Sequence, residues 1–332
     1  MTKKAIIFGI TGQDGSHLAD LLLSKQYKVI GVCRRASTNN SGRIKHILGD
    51  DSFELVQGDI TDVHSVMNIL KEHDDVDEIY NLAAQSHVAV SFKQPGLTWD
   101  ITGKGCLNIL QSIVDLGLVD ARFYQASSSE MYGRNYDVDR DQNKFQNEET
   151  KFLPQSPYAI AKCAAHHITR LYREGYGIHA SAGILFNHEG PRRGETFVTR
   201  KITKWIGEFV KSGQDPEFPK LRLGNLEAFR DWGYAGDYVE AMWMMLQQDC
   251  PEDFVICTGE THTIREFLDV AFKHIEIDDW SDLVVQDPEF YRPAEVDYLR
   301  GDNSKATSKL GWEPRHSFAD LVRLMVKHDI EN

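Results

Sequence analysis

Six short apolar runs punctuate the first part of the chain: Ala5–Phe8, Val29–Val32, Phe53–Val56, Glu78–Leu82, Arg122–Ala126 and His179–Phe186. Amphipathic stretches separate them. Ser16–Lys25, for example, places Leu18, Leu21 and Leu22 on one helical face. Strands that are apolar on both sides and alternate with helices are buried by a parallel sheet covered on two faces. The expected fold is therefore α/β, a doubly wound parallel sheet of the Rossmann type. After Asn187 the rhythm breaks, with Pro191, Gly194, Gly213, Pro216, Pro219 and Gly224 interrupting it. Isolated amphipathic helices follow at Tyr238–Gln248 and Phe318–His328. The expected division is a sheet unit over residues 1–187, with an element near 229–258 returning to it, and a smaller C-terminal α/β unit over 188–332.

Gly9-Ile10-Thr11-Gly12-Gln13-Asp14-Gly15 falls where the first strand meets the first helix. Glycines at that junction allow a tight turn and let backbone N–H groups approach a pyrophosphate at the helix N-terminus. An NAD-binding chain of this kind presents an acid about twenty residues further on. Here the second strand ends in Arg34-Arg35, and guanidiniums suit a 2′-phosphate, so the expected cofactor is NADP. Asp59, followed by Ile60, lies after the third strand, where it can reach an adenine amine. Leu82-Ala83-Ala84-Gln85-Ser86 supplies small residues where the backbone passes beneath a dinucleotide, and Asn81 is expected to tie strands together.

Ser156-Pro157 supplies an N-cap and a helix-starting proline for Tyr158 and Lys162, which share a face at four-residue spacing. An ammonium beside a phenol favours phenolate, so the tyrosine pKa is expected to fall from about 10 towards neutrality. Tyr158 is then a general base for a sugar or alcohol hydroxyl. Glu130, in Ser127-Ser128-Ser129-Glu130, adds a second base. Alcohol oxidation needs one base; a spare carboxylate points to a further proton abstraction, as in an elimination.

The net charge of −13 argues against nucleic acid as a partner. Against that background Arg192, Arg193, Arg200, Lys201 and Lys204 form a local cluster expected to grip a small polyanion. The five cysteines are scattered without a CxxC pair and the thirteen histidines contain no HExxH, so no metal site is expected. No apolar run approaches the roughly 20 residues of a membrane span, and Met-Thr-Lys-Lys leads directly into a strand. The chain is expected to lack a signal peptide and to be cytoplasmic.

The glycine loop, the Leu82–Ser86 turn, the Ser128–Glu130 tract and Ser-Pro-Tyr-x-x-x-Lys, in this order, resemble the extended short-chain dehydrogenases/reductases. Further tracts narrow the resemblance to the GDP-mannose 4,6-dehydratase family: Ala83–Val88, Asn187–Gly194, Phe197–Ile202, Leu223–Leu226, Arg230–Gly233 and Tyr291–Asp297. The resemblance implies bound NADP, GDP-mannose as substrate, and a homo-oligomer, either tetramer or dimer. It implies a catalytic set of Ser128, Glu130, Tyr158 and Lys162. His188 and Arg193 become further NADP contacts, and the Arg34-Arg35-Ala36-Ser37 loop serves both NADP and neighbouring subunits. Ser86, Asn187, Lys201, Leu223, Gly224, Asn225, Arg230, Arg292 and Glu295 become nucleotide-sugar contacts beside Ser128 and Glu130. Nucleotide-sugar epimerases and 4-keto reductases of the same superfamily need the Tyr and Lys but no carboxylate at position 130, and that counts against them. The chain departs from the family pattern with Ser128 for Thr, His17 and Leu97 for Tyr, Gly190 for Ser, and a shorter segment over 275–288.

Overall fold

The structure, a computed structural model, describes every residue except Met1, Asn39, Arg292, Pro293 and Glu295. The apolar runs become strands Lys4–Phe8 (β1), Lys28–Cys33 (β2), Phe53–Gln57 (β3), Glu78–Asn81 (β4), Arg122–Ser128 (β5) and Ala180–Leu185 (β6). Phe254–Ile256 (β7) joins them from the later part of the chain. The order is β7-β6-β5-β4-β1-β2-β3, and every neighbouring pair is parallel. Winding reverses between β1 and β4, so a crevice opens at the carboxyl ends of those strands, where ligands of such sheets bind. In register with that crevice, Asn81 at the end of β4 donates to Gln125 of β5 across 2.8 Å.

Both sheet faces are covered. On one, Val63–Glu72, Gly105–Asp115 and Pro157–Tyr176 bury Ile6, Phe8, Ile79, Ile109 and Phe123. On the other, Gln13–Ser24 and Ala235–Leu246 bury Ile7, Leu18, Tyr124 and Met242. Each such side chain stabilises the fold by about 1.5–3 kcal/mol relative to solvent exposure. The short helix Ser304–Leu310 also packs on this face through Ala306 and Leu310, although it lies far beyond residue 187.

The remaining later residues build a second core. Helices Val198–Lys211, Ile264–Lys273 and Phe318–Glu331 enclose Ile202, Ile206, Phe267, Phe272, Leu321 and Met325. Three two-stranded pairings edge it: Leu221–Leu223 with Val284–Gln286, Phe229–Arg230 with His262–Thr263, and Trp232–Tyr234 with Asn187–Glu189. The last two hang this core over the crevice, because Asn187 comes just after Phe186 at the end of β6 and His262 comes soon after the end of β7.

The basic cluster does not act as a unit. Arg200 is buried and paired with Asp329 at 2.6 Å, fastening helix Val198–Lys211 to Phe318–Glu331. Arg192 pairs with Asp20, and Lys204 with Glu195. Only Arg193 and Lys201 of the five face the crevice. Arg192 and Arg193 sit in the turn before helix Val198–Lys211, and Arg200, Lys201 and Lys204 are spread around its axis, so the five cations do not point to one place.

Candidate active site

The crevice is a cleft of about 1350 Å³ running from the glycine loop to Phe290 and Tyr291. Its dinucleotide end is shaped by two backbone constraints. Gly9 has φ +89°, and a Cβ there would sit 2.8 Å from the Ala83 backbone N, so the first loop and the turn after β4 touch as only glycine permits. A Cβ on Gly15 would lie 2.4 Å from the Gly9 carbonyl oxygen. Helix Gln13–Ser24 begins three residues earlier than its apolar periodicity predicts, and no side chain caps it at Gly12. Uncapped first-turn N–H groups beside a glycine cradle fit the pyrophosphate of a dinucleotide.

Gly9, Thr11, Gly12, Gln13, Asp14, Gly15, Arg34, Asp59, Ile60 and the Leu82–Ser86 turn all line this cleft, with Tyr158, Lys162, His188 and Arg193. Ile10 does not: its side chain is in the core. Arg35, Ala36 and Ser37 are exposed and lie outside the lining, so a single guanidinium, that of Arg34, reaches the cleft from the end of β2. One Asp59 oxygen is already engaged by the backbone N–H and hydroxyl of Thr61. At the other end Ser86, Asn187, Lys201, Leu223, Gly224, Asn225 and Arg230 line the wall. Arg292 and Glu295 lie outside the described residues.

The centre of the cleft is built by one helix start and one strand end. Ser156 accepts from the Ala159 N–H at 3.1 Å and Pro157 occupies the first turn, which sets the start of helix Pro157–Tyr176. The strand β5 ends at Ser128, whose Oγ caps the single turn Ser129–Met131 by accepting the Glu130 N–H at 3.3 Å. The same Ser128 hydroxyl lies beside the Tyr158 phenol and lowers its pKa. Glu130 thus meets that hydroxyl through its backbone N–H, while the residue lines the cleft and its charge reaches the Tyr158 phenol.

The expected low tyrosine pKa is not found. Burial pushes the Tyr158 phenol up to about 12; the Ser128 hydroxyl lowers it in part and the Glu130 charge raises it further. Lys162 Nζ stands 5.8 Å from the centre of the Tyr158 ring and donates to the Ala126 carbonyl oxygen at 2.5 Å. Burial draws the Lys162 ammonium down to about 8. The four-residue spacing puts both groups on one face, yet desolvation dominates the pKa of each.

Two further arrangements carry no recognisable sequence signal. Asp14 and His188 form an ion pair at 2.8 Å, with the other His188 nitrogen on the Phe186 carbonyl oxygen at 2.7 Å and the ring stacked on Tyr238. Burial opposes charge on both, but each partner's charge prevails: the carboxyl is held well below its usual range and the imidazole above its own. Buried Asp231 accepts from the Thr258 N–H and hydroxyl, the Gly259 N–H and the Gly301 N–H, pinning the segment that carries Arg230. Burial raises the Asp231 carboxyl to about 6, against the pull of those four donors. The cleft also includes Arg43, Phe92 and Phe290, which no motif covers, and Phe197 and Tyr291, which open two of the family tracts without an assigned role. Lys201 Nζ lies 3.5 Å over the Phe290 ring, which holds the ammonium against the wall. Among the described residues no cluster could hold a metal ion, and no helix is long and apolar enough to cross a membrane.

A family model for GDP-mannose 4,6 dehydratase matches residues 6–325. GDP-mannose 4,6 dehydratase 1 of Arabidopsis thaliana is 49% identical over 341 residues, covering 99% of this chain and 90% of that protein. The human GDP-mannose 4,6 dehydratase is 46% identical over 350 residues, covering 98% and 91%. Among solved structures, a dTDP-glucose 4,6-dehydratase of Streptomyces venezuelae with NAD bound superposes with a TM-score of 0.84 at 25% identity, covering 99% of this chain and 97% of that one. One from Bacillus anthracis in complex with NAD gives the same score at 20% identity, covering 100% and 97%, a likeness of fold.

The raised imidazole pKa of His188 stabilises the fold below its ordinary value of about 6.5, and that contribution is lost as pH rises through the folded value. The lowered Asp14 pKa contributes above about 4 and is lost on acidification. The pair is intact between those limits. Asp14→Asn should therefore lower the thermal midpoint most near about pH 6 and progressively less towards about pH 9. Equal losses at both pH values would contradict the ion pair.

Proposed function

The chain belongs to the GDP-mannose 4,6-dehydratase family, and we propose that it removes water from GDP-mannose to give GDP-4-keto-6-deoxy-mannose, with NADP as cofactor. The observation that carries this is that Glu130, on the turn capped by Ser128, lines the same cleft as Tyr158 and that its charge reaches the phenol. An epimerase or a ketone reductase needs only the phenol side of that arrangement.

Lys201, Arg230 and the Leu223–Asn225 wall hold the nucleotide and its diphosphate, and so position the hexose between Tyr158 and Glu130. Bound NADP supplies the hydride acceptor, the later hydride donor and, when oxidised, a positive ring whose field favours phenolate. Tyr158 takes the sugar O4 proton as C4 is oxidised, and Ser128 steadies the charge that develops on O4. The ketone so formed acidifies the C5–H. Glu130 removes that proton and returns it to the C6 hydroxyl, which leaves as water. Reduction at C6 and return of a proton to C5, equivalent to the one Tyr158 took from O4, close the cycle with no net redox change. Lys162, fixed on Ala126, keeps a positive charge beneath the phenol at neutral pH, because its pKa of about 8 lies above it.

Glu130→Gln keeps the shape of the site and removes the base. Product formation from GDP-mannose, followed by NMR, should fall about 10²–10⁴-fold. An unchanged rate would remove Glu130 from the mechanism.

Preference for NADP rests on Arg34. Arg34→Ala should weaken NADP binding by about tenfold or more, the worth of a charge-assisted hydrogen bond, with NAD affinity unaltered. Arg35→Ala, outside the cleft, should change neither. Equal effects of Arg34→Ala on both dinucleotides would overturn the assignment.

A further inference from the structure

Helix Pro157–Tyr176 presents a third buried side chain below Tyr158 and Lys162. His166 follows Lys162 by four residues, on the same face, and is 6% exposed. Its Nδ1 lies 3.0 Å from the Oγ of Ser127, which is 3% exposed and lines the cleft. Three consecutive residues at the end of β5 are thus each held from the helix. Lys162 takes the Ala126 carbonyl oxygen, His166 takes Ser127, and Tyr158 meets Ser128.

The far side of the ring is also fixed. His166 Nε2 stands 3.7 Å from Asp253 Oδ2. That carboxylate is gripped by both terminal nitrogens of Arg173, at 2.8 and 2.9 Å, and by the Ala182 N–H at 3.1 Å. Phe152 meets the ring edge-on at 5.2 Å. A carboxylate facing Nε2 places the imidazole proton there, so Nδ1 is an acceptor and Ser127 donates its O–H to it. Burial draws the imidazole down to about 4, so the ring is neutral in the working range and keeps this acceptor.

We infer that His166 is a positioning residue for the reaction, holding Ser127, and through it the adjoining Ser128–Glu130 turn, in register with Tyr158. The Asp253–Arg173 pair acts as the anchor of the ring. This deepens the dehydratase reading and rests on it. Without the acceptor at Nδ1, a buried hydroxyl loses its partner one residue before Ser128, which caps the Glu130 turn and lies beside the phenol.

The test uses the full chain with GDP-mannose. His166→Phe should lower kcat about tenfold, the effect of unpairing one buried donor, with KM held within about twofold. Ser127→Ala should do the same. The two together should be no worse than either alone, because both remove one interaction. His166→Gln, which still offers an acceptor, should recover kcat to within about threefold of the parent. Retained kcat with only a lower thermal midpoint, or losses that multiply in the double variant, would overturn the proposal. If His166→Phe does not fold, Ser127→Ala decides alone, and an unchanged kcat refutes the role. A parent chain that leaves GDP-mannose intact would instead refute the functional reading on which this one stands.

Discussion

Everything in the cleft depends on how helix Pro157–Tyr176 seats against the end of β5. Lys162 donates to the Ala126 carbonyl oxygen and Tyr158 meets the Ser128 hydroxyl. Ser128 in turn caps the turn that carries Glu130. One strand end and one helix start therefore fix a phenol, an ammonium, a hydroxyl and a carboxylate relative to each other. The helix start is set locally by Ser156 and Pro157, and the strand end by parallel pairing with β4 and β6. Such a site sits on rigid elements, as precise positioning requires.

The electrostatics follow from burial more than from pairing. The protein alone holds Tyr158 as a neutral phenol and Lys162 as an ammonium close to losing its proton. A resting site of this kind does not ionise its base before a complex forms. The acidic chain also spends most of its local cations internally. Arg200 fastens two helices through Asp329, and Arg192 and Lys204 find carboxylates nearby. Arg193, itself paired with Glu189, and Lys201 face the cleft, each over an aromatic ring, Phe197 and Phe290.

The sheet was legible because apolar runs with helical spacers have few other solutions, and six of its strands stand within a residue or two of their apolar runs. Phe254–Ile256 is only three residues long, too short for a period to declare itself; an element near 229–258 is expected to return to the sheet unit, but which residues pair, and as a seventh strand, is seen only in the fold. Motif spacing brought the glycine loop, Ser128, Glu130, Tyr158 and Lys162 to one place. It could not foresee that desolvation would raise the phenol pKa, since burial is a property of the folded environment. Nor could it separate Arg34 from Arg35, because side-chain direction at a strand end depends on the loop beyond it. The Asp14–His188 pair and the His166–Ser127 contact join residues far apart in the chain, and no local pattern announces them.

The central claim is that phenol and carboxylate act in succession on one hexose. A single-turnover experiment on GDP-mannose, following absorbance of the reduced nicotinamide, tests it most directly. With Glu130→Gln, oxidation at C4 should proceed while the later step stalls, so reduced nicotinamide should build up and persist. With Tyr158→Phe no such signal should form. Absence of reduced nicotinamide in the Glu130 variant, or its build-up in the Tyr158 variant, would contradict the order of events proposed for this cleft.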